Sequence, residues 1–304
     1  MTDTDPLFMS SGDLIADRRF HYAAVYAGRG DHVAARDLLQ QTVELVPSWP
    51  AAWATLGDAE AVLGRAEAAR AAYAKVLALA PDDPFGASLK LARLGVMESP
   101  PHAPDAYVRQ LFDAYAARFE THLVDRLAYR GPELLAEAIG QTGRTTFSHA
   151  IDLGCGTGLA GAVFRSRVAR LTGVDLAPRM IEAARAKQIY ERLAVRDICS
   201  FLAGEPRESA DLVLAADVVV YIGDVTPLFV AAHRVLRRAG FFAFTAQQAA
   251  QGFELGADLR FAHAPRYIRA RAAQAAFKIR VLDDAPARQD AGQDVAGLVV
   301  VLEK

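Results

Sequence analysis

The sequence predicts a small all-α repeat module followed by an α/β domain built on a largely parallel sheet. Three observations carry that expectation. Residues 1–98 match themselves at an offset of 34, a proline cluster follows at 99–104, and beyond it short apolar runs alternate with amphipathic ones. The expected division is a helical module over 1–98, a stiff linker over 99–106 and an α/β domain over 107–304.

In the first part Gly30 falls opposite Gly64, Ala35 opposite Ala69 and Pro47 opposite Pro81. The second copy places Trp53, Leu56, Gly57, Gly64, Ala69, Tyr73 and Pro81 at the spacing of the tetratricopeptide repeat. Small residues at 57, 64 and 69 let antiparallel helices approach, and large ones at 53, 56 and 73 fill the space between them. Pro81 stops the second helix. The first copy is degenerate, with Arg19 and Tyr22 at the aromatic and leucine positions, and a third unit starts at Asp83-Pro84 but stops near Glu98. Two repeats and a capping helix are expected, with scaffolding, dimer contact or capture of a protein partner as possible duties. Ser99-Pro100-Pro101-His102-Ala103-Pro104 cannot continue a helix and marks the linker.

Composition excludes several classes of function. With 52% hydrophobic and 23% charged residues the chain is globular in type, and a net charge of −2 supplies no field to recruit nucleic acid or an anionic membrane. The acidic start lacks the apolar core of a signal peptide. No stretch reaches the roughly 18 apolar residues needed to span a bilayer. The run 210–222 is broken by Asp211 and Asp217 and reads as a buried parallel strand. Two cysteines make neither a disulfide framework nor a four-ligand zinc site, and the seven histidines show no paired ligand spacing, so no metal is expected. A cytoplasmic protein without membrane or nucleic-acid partners is the expectation.

Residues 107–138 read as two amphipathic helices broken at Gly131-Pro132. Strands are expected at 149–153, 170–174, 193–196, 211–215 and 241–245, with helices at 158–168, 178–187 and 225–237. Such alternation argues for a parallel sheet covered on both faces.

At the first strand-to-helix turn stands Ile151-Asp152-Leu153-Gly154-Cys155-Gly156-Thr157-Gly158. Alternate glycines let the chain turn tightly and bring bare N–H groups against a ligand. Leu159 occupies the third-glycine place of the dinucleotide fingerprint, and Asp152 would repel a pyrophosphate while suiting a ligand with an ammonium and a sulfonium. Leu171-Thr172-Gly173-Val174-Asp175 then ends a strand in an acid 23 positions after Asp152, placed to accept ribose hydroxyls. Asp152 could equally cap the next helix, and Asp197 and Asp217 could be solvated strand ends. Cys155, with no base beside it, reads as a small filler rather than a nucleophile.

These motifs carry a resemblance. From 107 to 304 the chain resembles class I S-adenosylmethionine-dependent methyltransferases. With its repeats it is similar to bacterial tetratricopeptide-containing methyltransferases, and its domain resembles the group that includes trans-aconitate and malonyl-carrier-protein O-methyltransferases. The resemblance implies a Rossmann-like seven-stranded sheet ending in an antiparallel hairpin from 278–282 and 297–302. It implies S-adenosylmethionine as cofactor and S-adenosylhomocysteine as product. Asp152, Gly154, Cys155, Gly156 and Gly158 would meet the methionine part, Asp175 the ribose, and Asp197 with Ile198 the adenine. Asp217 would face the transferred methyl, and Leu176, Met180 and Tyr115 complete the implied cofactor set. Arg238 and Ala239 stand where the family's turn before the fifth strand has proline and glycine, and Ala177 where a capping serine is common.

Methyl transfer from a sulfonium needs alignment and exclusion of water more than proton transfer, so no triad is expected. Tyr221 is placed to border the acceptor, and His263 is the candidate base. Arg266 or Arg288 could hold an acceptor carboxylate, and Phe112, Tyr115 and Phe119 share one helical face as lid or core. The expected activity is transfer of methyl to a small-molecule or carrier-bound acceptor, with oxygen as the expected atom. Alternatives are a protein methyltransferase fed by the repeats, a non-catalytic scaffold that binds S-adenosylmethionine, and an NAD-dependent oxidoreductase.

Overall fold

The computed structural model describes residues 10–116, 119, 129–286, 289–290 and 293–304. They form two compact units that divide between Gln110 and Leu111.

In the first unit α1 (Leu14–Gly28) and α2 (His32–Leu45) make one antiparallel pair, α3 (Pro50–Val62) and α4 (Ala66–Leu79) a second, and α5 (Ala87–Arg93) caps the array. Asp13 begins α1 by accepting the N–H groups of Ile15 at 2.8 Å and Ala16 at 2.9 Å, donors that a helix start leaves unpaired. Gly57 lies against the Tyr73 ring so closely that an added Cβ would collide with it. The equivalent places in the first copy hold Ala23 and Leu39, both buried, so a smaller partner there leaves room for a methyl. Gly64 has another role from the one its spacing suggests. It sits in the turn between α3 and α4 at φ 73°, with open space around its Cα, and supplies backbone conformation rather than close packing. In the degenerate first copy Tyr22 stays exposed, and Phe20 takes the core, 4.7 Å from the Trp49 ring.

Helix α6 (Asp105–Tyr115) leads into the second unit, where α7 (Gly131–Gly140) opens at the expected Gly131-Pro132 break. Seven strands run in the order β3-β2-β1-β4-β5-β11-β8: β1 (Phe147–Leu153), β2 (Val168–Asp175), β3 (Arg192–Val195), β4 (Ala210–Ala215), β5 (Leu236–Gln248), β8 (Lys278–Asp284) and β11 (Gly297–Glu303). The first five are parallel, and β11 lies antiparallel between β5 and β8, as the resemblance implied. Alternation along the strands sorts the core. Phe242, Phe244 and Val300 face a cluster with α10 (Ile198–Gly204), α11 (Thr226–Val235) and α12 (Pro265–Gln274). Phe241, Ala243, Val299 and Val301 face one with α7 and α8 (Leu159–Phe164). The remaining helix, α9 (Pro178–Ala186), follows β2.

Several boundaries differ from those expected. Helix α8 stops at Phe164, because Val168 already pairs in β2, and α11 stops at Val235, because Leu236 pairs with Ala210. Helix α10 was not foreseen, being only 7 residues long. Beyond β5, the hairpin of β6 (Phe253–Leu255) and β7 (Phe261–His263) sets β7 parallel to the end of β5 at Gln247 and Gln248. A small pair, β9 (Gln289–Asp290) with β10 (Gln293–Asp294), stands apart from the main sheet. Ala239, where the resembled turn has glycine, adopts φ 57°. Its N–H donates to Lys304 O at 2.9 Å and its carbonyl accepts from Arg144 at 3.1 Å, bonds that offset the strain. Among the described residues no helix is long and apolar enough to cross a membrane.

Candidate functional site

The carboxyl ends of β1, β2 and β4 share one rim of the sheet, the place where open α/β sheets bind ligands. At the end of β1 the chain reverses through Gly154 at φ 59° and Gly156 at φ 54°, a backbone that L side chains rarely adopt. A Cβ on Gly154 would stand 2.5 Å from Val218 Cγ2, whereas one on Gly156 would stand 3.6 Å from the Phe119 ring, in ordinary contact. The turn is tied to the tip of β2. Cys155 N–H donates to Val174 O at 3.0 Å, and Gly156 N–H donates to Asp175 Oδ2 at 2.9 Å. The other Asp175 oxygen accepts Ala177 N–H at 2.9 Å. Burial pushes the Asp175 carboxyl up, against the pull of these N–H bonds.

Asp152 does not face the rim as its motif position suggested. It is 1% exposed and accepts the Tyr190 hydroxyl at 2.6 Å. Burial pushes its carboxyl up to about 7 despite that bond, so near neutral pH it is a poor partner for a cation. It also accepts the backbone N–H of Gly161, in the first turn of α8. Tyr190 was missed in the sequence. Its ring fills a recess floored by Gly158, Gly161 and Gly173, and two of these glycines lie outside the motif, in a helix and a strand, where glycine marks a close approach. Cys155 is buried as a filler, and burial raises its thiol well above the usual range. Met180 is wholly enclosed and offers no surface to a ligand in this conformation, while Leu176 is half-buried. Asp197 is the cap of α10, accepting Ser200 N–H at 2.7 Å, and Ile198 turns into the core. The cap uses Asp197 Oδ1, and the side chain is half-buried.

Aromatic rings from α6 and the residue at 119 lie beside the turn. Phe119 sits 6.0 Å from Phe112 and 5.6 Å from Tyr115, and Phe112 meets Tyr221 edge-on at 5.5 Å. Asp113 accepts Arg179 N–H at 3.0 Å, which fastens α6 to the start of α9. The face expected to be lid or core borders the glycine turn and remains partly open.

On the other side, Asp217 follows β4 at φ 58°, an unusual backbone for a side-chain-bearing residue and one that clusters at functional sites. Its N–H donates to Thr245 Oγ1 at 2.9 Å, and burial raises its carboxyl while Arg260 opposes the rise. Arg260 Nη1 lies 3.3 Å from Asp217 Oδ2, and the guanidinium stands 5.6 Å from the Tyr221 ring centre. Tyr129 belongs here too, its hydroxyl held well above the usual range by burial, then by Asp217 and Asp152. Neither Arg260 nor Tyr129 was singled out in the sequence.

His263 is not placed to act as a base. It is 0% exposed, and Nε2 donates to Ile222 O at 2.8 Å and to Gly223 O at 3.1 Å. Burial lowers its pKa to about 4, so the ring is neutral and serves to anchor the 222–223 turn. Tyr267 stacks on it at 5.9 Å and donates to Asp224 Oδ1 at 3.1 Å, a second anchor for the same turn. Arg266 is exposed on α12, and Arg288 lies outside the described residues. The structure thus gathers Gly154, Gly156, Asp175, Tyr115, Asp217 and Tyr221, and leaves Met180 and His263 enclosed. No cluster of metal-ligating side chains occurs among the described residues.

Against this geometry, residues 151–244 match the family model of a methyltransferase domain, and residues 26–93 match that of the tetratricopeptide repeat. The chain carries a methyltransferase domain. It is 32% identical over 106 residues to a malonyl-[acyl-carrier protein] O-methyltransferase of Serratia marcescens, covering 35% of this chain and 41% of that protein. It is 33% identical over 91 residues to a trans-aconitate 2-methyltransferase of an Enterobacter species, covering 29% of this chain and 35% of that one. The chain therefore spans less than half the length of these curated relatives. Among solved structures it resembles a Burkholderia thailandensis 1,6-didemethyltoxoflavin-N1-methyltransferase, with TM-score 0.52 and 18% identity, over 68% of this chain and 93% of that one. At that identity the likeness establishes the fold, and the methyltransferase domain's glycine turn falls inside the matched segment.

Proposed function

We propose that the chain is an S-adenosylmethionine-dependent methyltransferase that modifies a small-molecule or carrier-bound acceptor, with oxygen as the acceptor atom. The observation that carries this reading is the joint between the glycine turn and Asp175, an acid at the tip of β2 bonded to the backbone of Gly156. The Gly156 turn supports it, since its backbone carries no side chain and the Phe119 ring lies beside it. S-adenosylmethionine, when bound, supplies an electrophilic methyl on a neutral leaving group. Gly154 to Gly158 would hold its methionine part. Asp175 accepts one N–H at each oxygen and keeps further lone pairs for the ribose hydroxyls. Phe112, Tyr115 and Phe119 would exclude water from the reacting centre. Tyr221 and Asp217 border the acceptor. The related protein from Serratia marcescens is named for a carrier-bound acid, which favours oxygen here. A protein partner would be held by the helical repeats.

Calorimetric titration with S-adenosylmethionine, S-adenosylhomocysteine and NAD tests the proposal. The first two are expected to bind and NAD not. Asp175→Asn, which preserves size, should weaken both by about 30-fold or more while the thermal midpoint shows the variant folded. Binding of NAD instead, or no loss in Asp175→Asn, would overturn it.

A further inference from the structure

The two ends of the helical array differ. At one end α5 packs on α4 and buries Leu89 and Leu91, and the Tyr107 ring lies against Gly86 at its start. At the other end the outer face of α1 stays open, with Leu14, Ile15, Tyr22, Val25 and Tyr26 between 37% and 87% exposed. We propose that two copies of the chain meet on this face, α1 against α1, antiparallel about a two-fold axis at Tyr22. The inference concerns assembly and does not rest on the methyltransferase reading.

The repeat itself shows what such a face is built to meet. One period of 34 residues on, Ile15, Arg18, Tyr22, Val25 and Tyr26 become Trp49, Ala52, Leu56, Ala59 and Glu60. All five of those are buried, where α3 packs on the first helical pair. The face of α1 is thus the docking face of a repeat with no repeat before it. Solenoid ends that stay in water carry polar outer faces. This end instead presents aliphatic side chains and two tyrosines, with Arg18 and Arg29 exposed beside them. Tyrosine and arginine are the types enriched where proteins meet.

A second copy fits the face in one way. Because α5 already covers α4, copies cannot join head to tail, and the pairing joins the same face on both, as a two-fold axis requires. An antiparallel crossing at Tyr22 sets each Arg18 over the facing Tyr26 ring, a cation–π contact made twice. It also brings each Arg29 beside the Asp13 that begins the facing helix, a pair of opposite charge that is likewise made twice.

Sedimentation equilibrium of the full chain over a concentration series tests this. Twice the mass of one chain is expected at the upper concentrations, falling toward one on dilution. Tyr22→Glu puts two carboxylates on the axis and should weaken the dimer by about 100-fold or more. Arg18→Glu should weaken it by about tenfold. Val62→Glu, at an exposed position on α3 outside the face, should leave it unchanged. Tyr22→Cys places two thiols at the axis, so mild oxidation should join two copies covalently. The same treatment of the parent, which has only Cys155 and Cys199, should not. A parent that is a single chain at every concentration overturns the inference and hands the face to a partner of another kind. A dimer that Tyr22→Glu leaves intact, or that Tyr22→Cys does not join, overturns it as well. Thermal midpoints show that the variants fold, as expected for changes at exposed positions.

Discussion

The two sides of the rim are built differently. Around the glycine turn, Asp152, Asp175 and Cys155 are buried and tied by bonds to backbone or to Tyr190, so the turn is a rigid mould. Around β4 and the β6–β7 hairpin, Asp217 and Arg260 keep about a fifth of their side-chain surface open, and the enclosed group is a neutral histidine. Such a difference fits a constant ligand on one side and a variable one on the other. Asp152 in the mould and His263 under the hairpin respond oppositely to pH, because one is a buried acid and the other a buried base.

The largest expected effect breaks the mould by a single methyl. Gly154→Ala must adopt φ 59° and meet Val218 Cγ2 at 2.5 Å, and a β-branched neighbour cannot swing aside. A loss of about 3–4 kcal/mol in urea unfolding is expected, summing left-handed strain and overpacking. Gly156→Ala shares the strain at φ 54° but has room at 3.6 Å, so it should lose only about 1–2 kcal/mol. Equal losses would show that strain alone governs the turn.

A smaller effect distinguishes the sides by pH. The Asp152 carboxyl rises from 3.8 to about 7 on folding, so the protonated form favours the native state. Its contribution is fully present below pH 3.8 and is lost as pH rises through about 7. Asp152→Asn keeps an acceptor for the Tyr190 hydroxyl and cannot ionise. Without ligand, its stability relative to the parent should therefore improve by on the order of 3 kcal/mol between pH 4 and pH 8. A difference that is flat across this range would mean that Asp152 is not held in a low-dielectric site.

How much of this was legible follows the same division. The glycine turn and the acid ending β2 could be read because each is a local pattern whose spacing the fold dictates. The repeats were legible for a similar reason: Gly57 and Tyr73 stand at the spacing of the repeat pattern because two helices must touch. What sequence concealed was contact across the chain. Tyr190 lies 38 positions from Asp152, and Arg260 lies 43 from Asp217, with no periodicity between them. Gly161 and Gly173 were the available signal for Tyr190, two glycines inside regular elements that needed a neighbour to explain them. His263 misled because residue type suggested chemistry, while the paired carbonyls of Ile222 and Gly223 that fix its role arise only from the fold. Arg260 had no signal at all beyond its charge.

The smallest effect tests that role of His263. Burial lowers its pKa from 6.5 to about 4, so it contributes stability above pH 6.5 that is lost as pH falls through about 4. His263→Gln retains an N–H for the carbonyls of Ile222 and Gly223 but cannot take a proton. It should be less stable than the parent at pH 7, because the ring that stacks on Tyr267 is gone. That deficit should then narrow by on the order of 2 kcal/mol between pH 7 and pH 4, as the parent alone pays to keep its imidazole neutral. Chemical denaturation of both proteins across that range measures the convergence. Parallel curves would mean that the imidazole reaches solvent when protonated, which would return His263 to the acceptor site as a candidate base.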